Sequence, residues 1–194
     1  MQSKPFILGS SSPRRKEILS QFNLSFTCLS PDFDEDSITF KNCPENYVKA
    51  IALGKAKSIQ KNKKKSIIIA SDTTVYFRKK VFSKPKNKEQ ACSFLRTLSG
   101  KWHRVYSSVT CFNGKRFYTF CEETKVLFND LSEKQIQFYV ENFNCLDKAG
   151  AYMAQLPGAI IVKKIDGCFY NVMGLPINTL DKALKKAGIS LWSA

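Results

Sequence analysis

Apolar residues along this chain change their period several times, and each change marks an element. A short run, Phe6-Ile7-Leu8, gives way to polar Gly9 to Ser12 and then to Ile18, Leu19 and Phe22 at helical spacing. That pattern predicts strand, hydroxyl-rich turn and helix. Phe26-Thr27-Cys28-Leu29 predicts a second strand, running into an acidic loop, Asp32-Phe33-Asp34-Glu35-Asp36. Pro44 opens a helix with Tyr47, Val48, Ile51, Ala52, Ala56 and Ile59 on its apolar face, a period of about 3.6 residues. The lysine run Lys61, Lys63, Lys64 and Lys65 breaks it. Ser66-Ile67-Ile68-Ile69-Ala70 is continuous and β-branched, as expected of a strand covered on both faces, and Ser71 to Phe77 continues it.

The second half mixes both periods. Lys84-Pro85 ends a short segment. Asn87 is placed to cap a helix with Ala91, Phe94, Leu95 and Leu98 as its stripe and Gly100 past its end. Val105 to Phe112 and Arg116 to Phe128 flank Asn113-Gly114, the signal of a two-residue hairpin turn. Ser132 and Gln135 form a capping box, with Leu131 and Ile136 spaced for a hydrophobic staple, on a helix reaching about Phe143. Ala159 to Val162 and Cys168 to Val172 read as strands around a turn near Asp166-Gly167, and Pro176 to Ala187 as a closing helix ended by Gly188. Strand–helix units followed by a hairpin predict an α/β fold with a mixed, twisted sheet. No repeats, linkers or low-complexity tracts interrupt the 194 residues, so one domain over 1–194 is expected.

Composition narrows the class. No apolar run approaches the roughly 20 residues that span a bilayer, and Pro5-Phe6-Ile7-Leu8 is too short for a secretory core segment. Seven scattered cysteines, no CxxC pair and one histidine argue against structural zinc and for reduced, cytoplasmic thiols. The net charge of +15 points to an anionic partner, either nucleic acid or a small phosphorylated ligand. The lysine runs, including Lys79 and Lys80 and then Lys182, Lys185 and Lys186, read more simply as solvated faces. A single-strand binder needs aromatic residues interleaved with basic ones, and apart from Trp102 the runs lack them.

The first turn breaks a local rule. A helix start carries partial positive charge and attracts acidic residues, yet Ser12-Pro13 is followed by Arg14 and Arg15. Free backbone N–H groups, the hydroxyls of Ser10, Ser11 and Ser12 and two guanidiniums make a phosphate site; a capped helix with two solvated arginines is the other reading. Asp72 directly follows an apolar strand, where it could hold a divalent cation, take a proton from water, or simply cap a turn. Asp34, Glu35 and Asp36 are metal partners or a solvated loop, and Lys84 reaches a phosphate or lies exposed in its turn. His103, in Lys101-Trp102-His103-Arg104, reads as a surface or structural histidine. Together these describe an anion cradle, carboxylates for Mg²⁺ or Mn²⁺ and extra cations, which suits a nucleotide polyphosphate.

Leu8-Gly9-Ser10-Ser11-Ser12-Pro13-Arg14-Arg15 resembles the N-terminal signature of the Maf proteins, nucleoside triphosphate pyrophosphatases. Further motifs follow in order: Ala50 to Ala56 with its lysine, Ser71-Asp72-Thr73-Thr74-Val75, Lys84-Pro85, Leu98 to Val105, Asp147 to Tyr152 with Gln155, and Asn171 to Pro176. The resemblance implies hydrolysis of a nucleoside triphosphate between its α- and β-phosphates, on a two-lobed α/β fold similar to the inosine triphosphatases. It implies Asp72 as catalytic acceptor, Ser10, Arg14, Arg15, Lys55 and Lys84 in the phosphate cleft, and Glu35 with Asp72 holding Mg²⁺ or Mn²⁺. Arg14, Thr73 and Gln155 match the branch acting on dTTP and UTP, whose role is nucleotide-pool house-cleaning and extends to modified pyrimidine nucleotides. Gly9 stands where alanine is usual, and Pro157 stiffens the loop around Gln155. Such families are compatible with a homodimer, although no residue here demonstrates one. The alternative is a basic nucleic-acid-binding or cell-division regulatory protein without turnover.

Overall fold

The computed structural model describes residues 5–192. Seven strands form one mixed sheet in the order β2-β1-β3-β5-β6-β7, with β4 also on β3. They are β1 (Phe6–Gly9), β2 (Phe26–Leu29), β3 (Ile67–Phe77), β4 (Lys80–Phe82), β5 (Trp102–Phe112), β6 (Phe117–Phe128) and β7 (Val162–Asp166). β1 runs parallel to β2 and β3, and the other pairings are antiparallel. The helices are α1 (Pro13–Ser20), α2 (Pro44–Gln60), α3 (Lys88–Leu98), α4 (Glu133–Asn142), α5 (Phe169–Met173) and α6 (Ile177–Lys186). The α/β class with a mixed sheet is as the sequence predicts.

The β-branched run of β3 explains how the layers assemble. Side chains alternate across a strand. Ile68 and Ala70 pack on Ala56 and Ile59 of α2, while Ile67 and Ile69 pack with Ile18 and Leu19 of α1 and with Leu180, Ala183 and Leu184 of α6. A third cluster joins Val75, Val105, Val126 and Phe128 of the sheet to Ala91, Leu95 and Leu98 of α3 and Ile136, Tyr139 and Val140 of α4. The capping box of Ser132 and Gln135 forms, and Leu131 packs on the same cluster as Ile136.

Three local expectations are corrected. Cys168 to Val172 is not a strand: Phe169–Met173 is a helix. A short apolar run fits either state, and Asn171 decides it by donating from Nδ2 to Val105 O at 3.0 Å and to Thr124 Oγ1 at 2.9 Å. Gly174 then ends the helix at φ +104°. The strand expected at Ala159 to Val162 begins only at Val162, after a 3₁₀ turn over Gly158–Ile161. In the β5–β6 hairpin Asn113 N donates to Arg116 O, so the central pair is Gly114-Lys115. Asn113 Oδ1 accepts from the amides of Lys115 and Arg116 instead of sitting at the tip. Among the described residues, no helix is long and apolar enough to cross a membrane.

Candidate active site

The edge of β3 facing away from β5 is occupied twice. Ile67 to Ala70 pair with β1, and Val75 to Phe77 pair with β4. Ser71 to Thr74, between them, pair with β5 alone. β1 ends at this gap, and the carboxyl ends of parallel strands are where open α/β sheets gather ligands. Asp72 and Thr73 from the gap line a cleft of about 660 Å³, large enough for a nucleotide. All nine expected residues line it: Ser10, Arg14, Arg15, Glu35, Lys55, Asp72, Thr73, Lys84 and Gln155.

Alternation along β3 sends Asp72 to the α2 side, the same face as Ile68 and Ala70. Lys55 lies on the apolar stripe of α2, four residues after Ile51 and four before Ile59, and is itself buried. The two meet with Lys55 Nζ donating to Asp72 Oδ1 at 2.7 Å, and the ammonium also lies 2.9 Å from Glu35 Oε1. Glu35 is brought there by its loop. The Phe33 ring sits so close to Gly54 that a Cβ on that glycine would lie 2.3 Å from Phe33 Cζ. Burial pushes the Glu35 carboxyl up, but Lys55, with help from Lys84 and Arg15, holds it below the usual range.

The two arginines separate. Arg15 turns inward, donating from Nε to Gly174 O at 2.8 Å, from Nη1 to Ser10 Oγ at 3.3 Å and from Nη2 to Thr73 Oγ1 at 3.1 Å. Burial lowers its pKa, against the pull of Asp72. Ser71 Oγ donates to the same Gly174 carbonyl at 2.9 Å, and the Thr73 and Ser107 hydroxyls are 2.8 Å apart. Arg14 reaches across the cleft, its Nη1 3.3 Å from Asp147 Oδ2. Neither arginine is the freely solvated residue of the alternative reading. Ser12 holds the cap position of α1, but its side chain makes no cap bond; Ser12 N instead donates to Ser10 Oγ at 3.1 Å. With no acidic residue in the first turn, the start of α1 keeps its positive end toward the cleft.

Lys84 lines the cleft with an exposed side chain. Gln155 lines it too, and its Oε1 is buried with no hydrogen-bond partner among the described residues. His103 is a buried structural residue: Nε2 is 3.0 Å from Tyr152 Oη, the ring stacks edge-on against Phe128, and burial lowers its pKa to about 4. At Gly9 an alanine Cβ would lie 2.6 Å from Ile59 Cδ1, so the tip of that side chain would have to shift.

Asp147, Lys148 and Lys86, for which the sequence alone suggests no role, also line the cleft. Asp147 binds Lys148 Nζ at 2.5 Å as well as Arg14, and burial raises its pKa less than these cations lower it. Nothing in the sequence links Asp147 to Arg14 over 133 positions, whereas Lys86, two residues beyond Lys84, follows from extending the basic pattern. The cleft thus holds six basic residues against four acidic ones. No cluster of three or more His, Cys, Asp or Glu side chains able to hold a metal occurs among the described residues. Glu35 and Asp72 both pair with the Lys55 ammonium, and each carboxylate has a second oxygen of the kind a hard cation takes beside water and phosphate.

The Maf-like protein family matches residues 5–187 of this chain. A dTTP/UTP pyrophosphatase of Chlamydia caviae is 46% identical over 187 residues, 96% of this chain and 95% of that one. A dTTP/UTP pyrophosphatase of Clostridium perfringens is 44% identical over 188 residues, 95% of this chain and 98% of its own. A nucleoside triphosphate pyrophosphatase of Chlamydia muridarum is 41% identical over 96% of this chain and 95% of its own. Among solved structures, the Staphylococcus aureus Ham1 protein aligns with TM-score 0.47 and 13% identity, over 66% of this chain and 73% of its own. With the family match running from the first strand to the end of the last helix, the chain belongs to the Maf-like protein family.

Proposed function

We propose that this protein hydrolyses nucleoside triphosphates between the α- and β-phosphates, releasing a nucleoside monophosphate and pyrophosphate, with dTTP and UTP as its preferred substrates. The observation that carries the reading is a carboxylate, Asp72, fixed by a buried lysine in a cleft otherwise dominated by cations. The relatives named dTTP/UTP pyrophosphatase agree with it.

In this reading Arg14, Lys84, Lys86 and the amides at the start of α1 bind the triphosphate. Arg15 holds Ser10, Thr73 and the Gly174 carbonyl in register beneath it. Asp72 takes a proton from water as the water oxygen bonds to phosphorus and the bridging P–O bond breaks. Lys55 holds Asp72 in place for that transfer. A Mg²⁺ or Mn²⁺ ion held by Glu35, Asp72 and phosphate oxygens would neutralise phosphate charge when bound. The Gln155 amide reads the imide edge of uracil or thymine once a base reaches its buried, unpartnered Oε1, and Arg14 and Thr73 line the same cleft. A house-cleaning role in the cytoplasm, extending to modified pyrimidine nucleotides, follows from this chemistry, and the seven free thiols suit a reducing compartment.

The test is a product assay with Mg²⁺ or Mn²⁺ across the standard ribo- and deoxyribonucleoside triphosphates. Pyrophosphate with dTMP or UMP is the expected result. Turnover of purines alone would overturn the specificity, and orthophosphate as the product would overturn the reaction.

A further inference from the structure

Gln155 sits in a loop, residues 153–158, whose two ends meet at one hydroxyl. Tyr139 Oη accepts from Met153 N at 3.2 Å and donates to Gly158 O at 3.3 Å. Tyr139 belongs to α4, is 1% exposed, and stacks edge-on against Phe143 at 5.0 Å. Burial pushes its phenol up to about 12, so the hydroxyl keeps the proton it donates. Gly158 lets the ends close: a Cβ there would lie 2.0 Å from Met153 Cγ and 2.5 Å from Tyr139 Oη. Beside the clip, Tyr152 is tied to His103 of β5. Just past the loop, Ala159 N donates back to Gln155 O at 3.0 Å. The loop backbone is therefore held at both ends, and Gln155 between them lines the cleft.

We propose that Tyr139 is a positioning residue for base selection, its hydroxyl holding the loop so that Gln155 presents its amide in one orientation. The proposal rests on the reading of Gln155 as the base contact. An amide fixed with its oxygen toward the base accepts from the N3–H of uracil or thymine and donates to a neighbouring carbonyl. Cytosine carries an unprotonated N3 and an amino group at those places, so it meets acceptor with acceptor and donor with donor. An amide free to rotate by half a turn serves both bases. Discrimination thus depends on how firmly the loop is held.

The experiment compares kcat/KM for dTTP and dCTP in the wild-type protein, Tyr139→Phe and Gln155→Ala, with thermal unfolding of each. In Tyr139→Phe the dTTP-to-dCTP ratio should fall about tenfold, chiefly through a higher KM for dTTP. A purely structural role would lower both substrates together and leave the ratio alone. Gly158→Ala crowds the same hydroxyl from the loop side and should lower the same ratio, which keeps the test open if Tyr139→Phe does not fold. A ratio unchanged in the folded variants, while Gln155→Ala collapses it, overturns the role of Tyr139. A ratio unchanged in Gln155→Ala overturns the base contact on which the proposal stands.

Discussion

Lys55 Nζ lies 2.7 Å from Asp72 Oδ1, and both side chains are buried. A charge in that position is tolerable only while it is paired, because removing one partner strands the other in a medium that solvates it poorly. Lys55→Met leaves Asp72 and Glu35 without the ammonium that contacts both. It should cost about 3 kcal/mol, read as a lower urea midpoint with an unchanged slope. Hydrolysis should fall with it, and wild-type turnover in this variant would remove Lys55 from the site.

Adjacent arginines should behave differently. Arg15 joins three elements through Gly174 O, Ser10 Oγ and Thr73 Oγ1, so Arg15→Ala should lose about 2–3 kcal/mol of stability and Arg15→Lys should not restore it. Arg14 pairs with a half-exposed Asp147, so Arg14→Ala should change stability by less than about 1 kcal/mol. Its effect should appear in KM or base preference. Urea unfolding of both variants beside their kinetics separates the two roles.

His103 sets an acid limit on the fold. Burial holds its pKa at about 4 against an ordinary value of 6.5. Between those values the unfolded chain carries a proton that the folded one does not, so stability is complete above pH 6.5 and falls as pH drops toward 4. The loss is about 3 kcal/mol across that window. His103 is the chain's only histidine, so His103→Phe should flatten the slope there, whatever it costs at neutral pH. An unchanged slope would contradict a neutral, buried imidazole.

Gly54 holds the acidic loop on α2. In Gly54→Ala the new Cβ would occupy space 2.3 Å from Phe33 Cζ, displacing the ring and drawing Glu35 off Lys55. Stability should fall by about 1–3 kcal/mol, and the divalent-metal concentration for half-maximal rate should rise about tenfold. A metal titration identical to wild type would separate Glu35 from the metal.

Particular residues show what was legible in the sequence. Phe6 to Leu8, Pro44 and the Ile67-Ile68-Ile69 run each carry a local signal, and the elements they mark form as expected. Of the nine candidate residues, Ser10, Arg14, Arg15, Glu35, Asp72 and Lys84 were legible from local pattern, whereas Lys55, Thr73 and Gln155 rested on the family resemblance alone. Cys168 to Val172 was not legible, since its helix depends on Asn171 reaching Val105 and Thr124, residues distant in the chain. The division of labour between Arg14 and Arg15 was hidden for the same reason. Gly174 O and Asp147, which tell them apart, lie 159 and 133 residues away from the arginines they meet.

The most direct test of the account is to follow dTTP with Mg²⁺ by ³¹P NMR in the wild-type protein and in Asp72→Asn, whose folds are matched by circular dichroism. Pyrophosphate and dTMP are expected from the wild type, with a rate at least about a thousandfold lower in Asp72→Asn. Orthophosphate from the wild type, or an undiminished rate in Asp72→Asn, would contradict it.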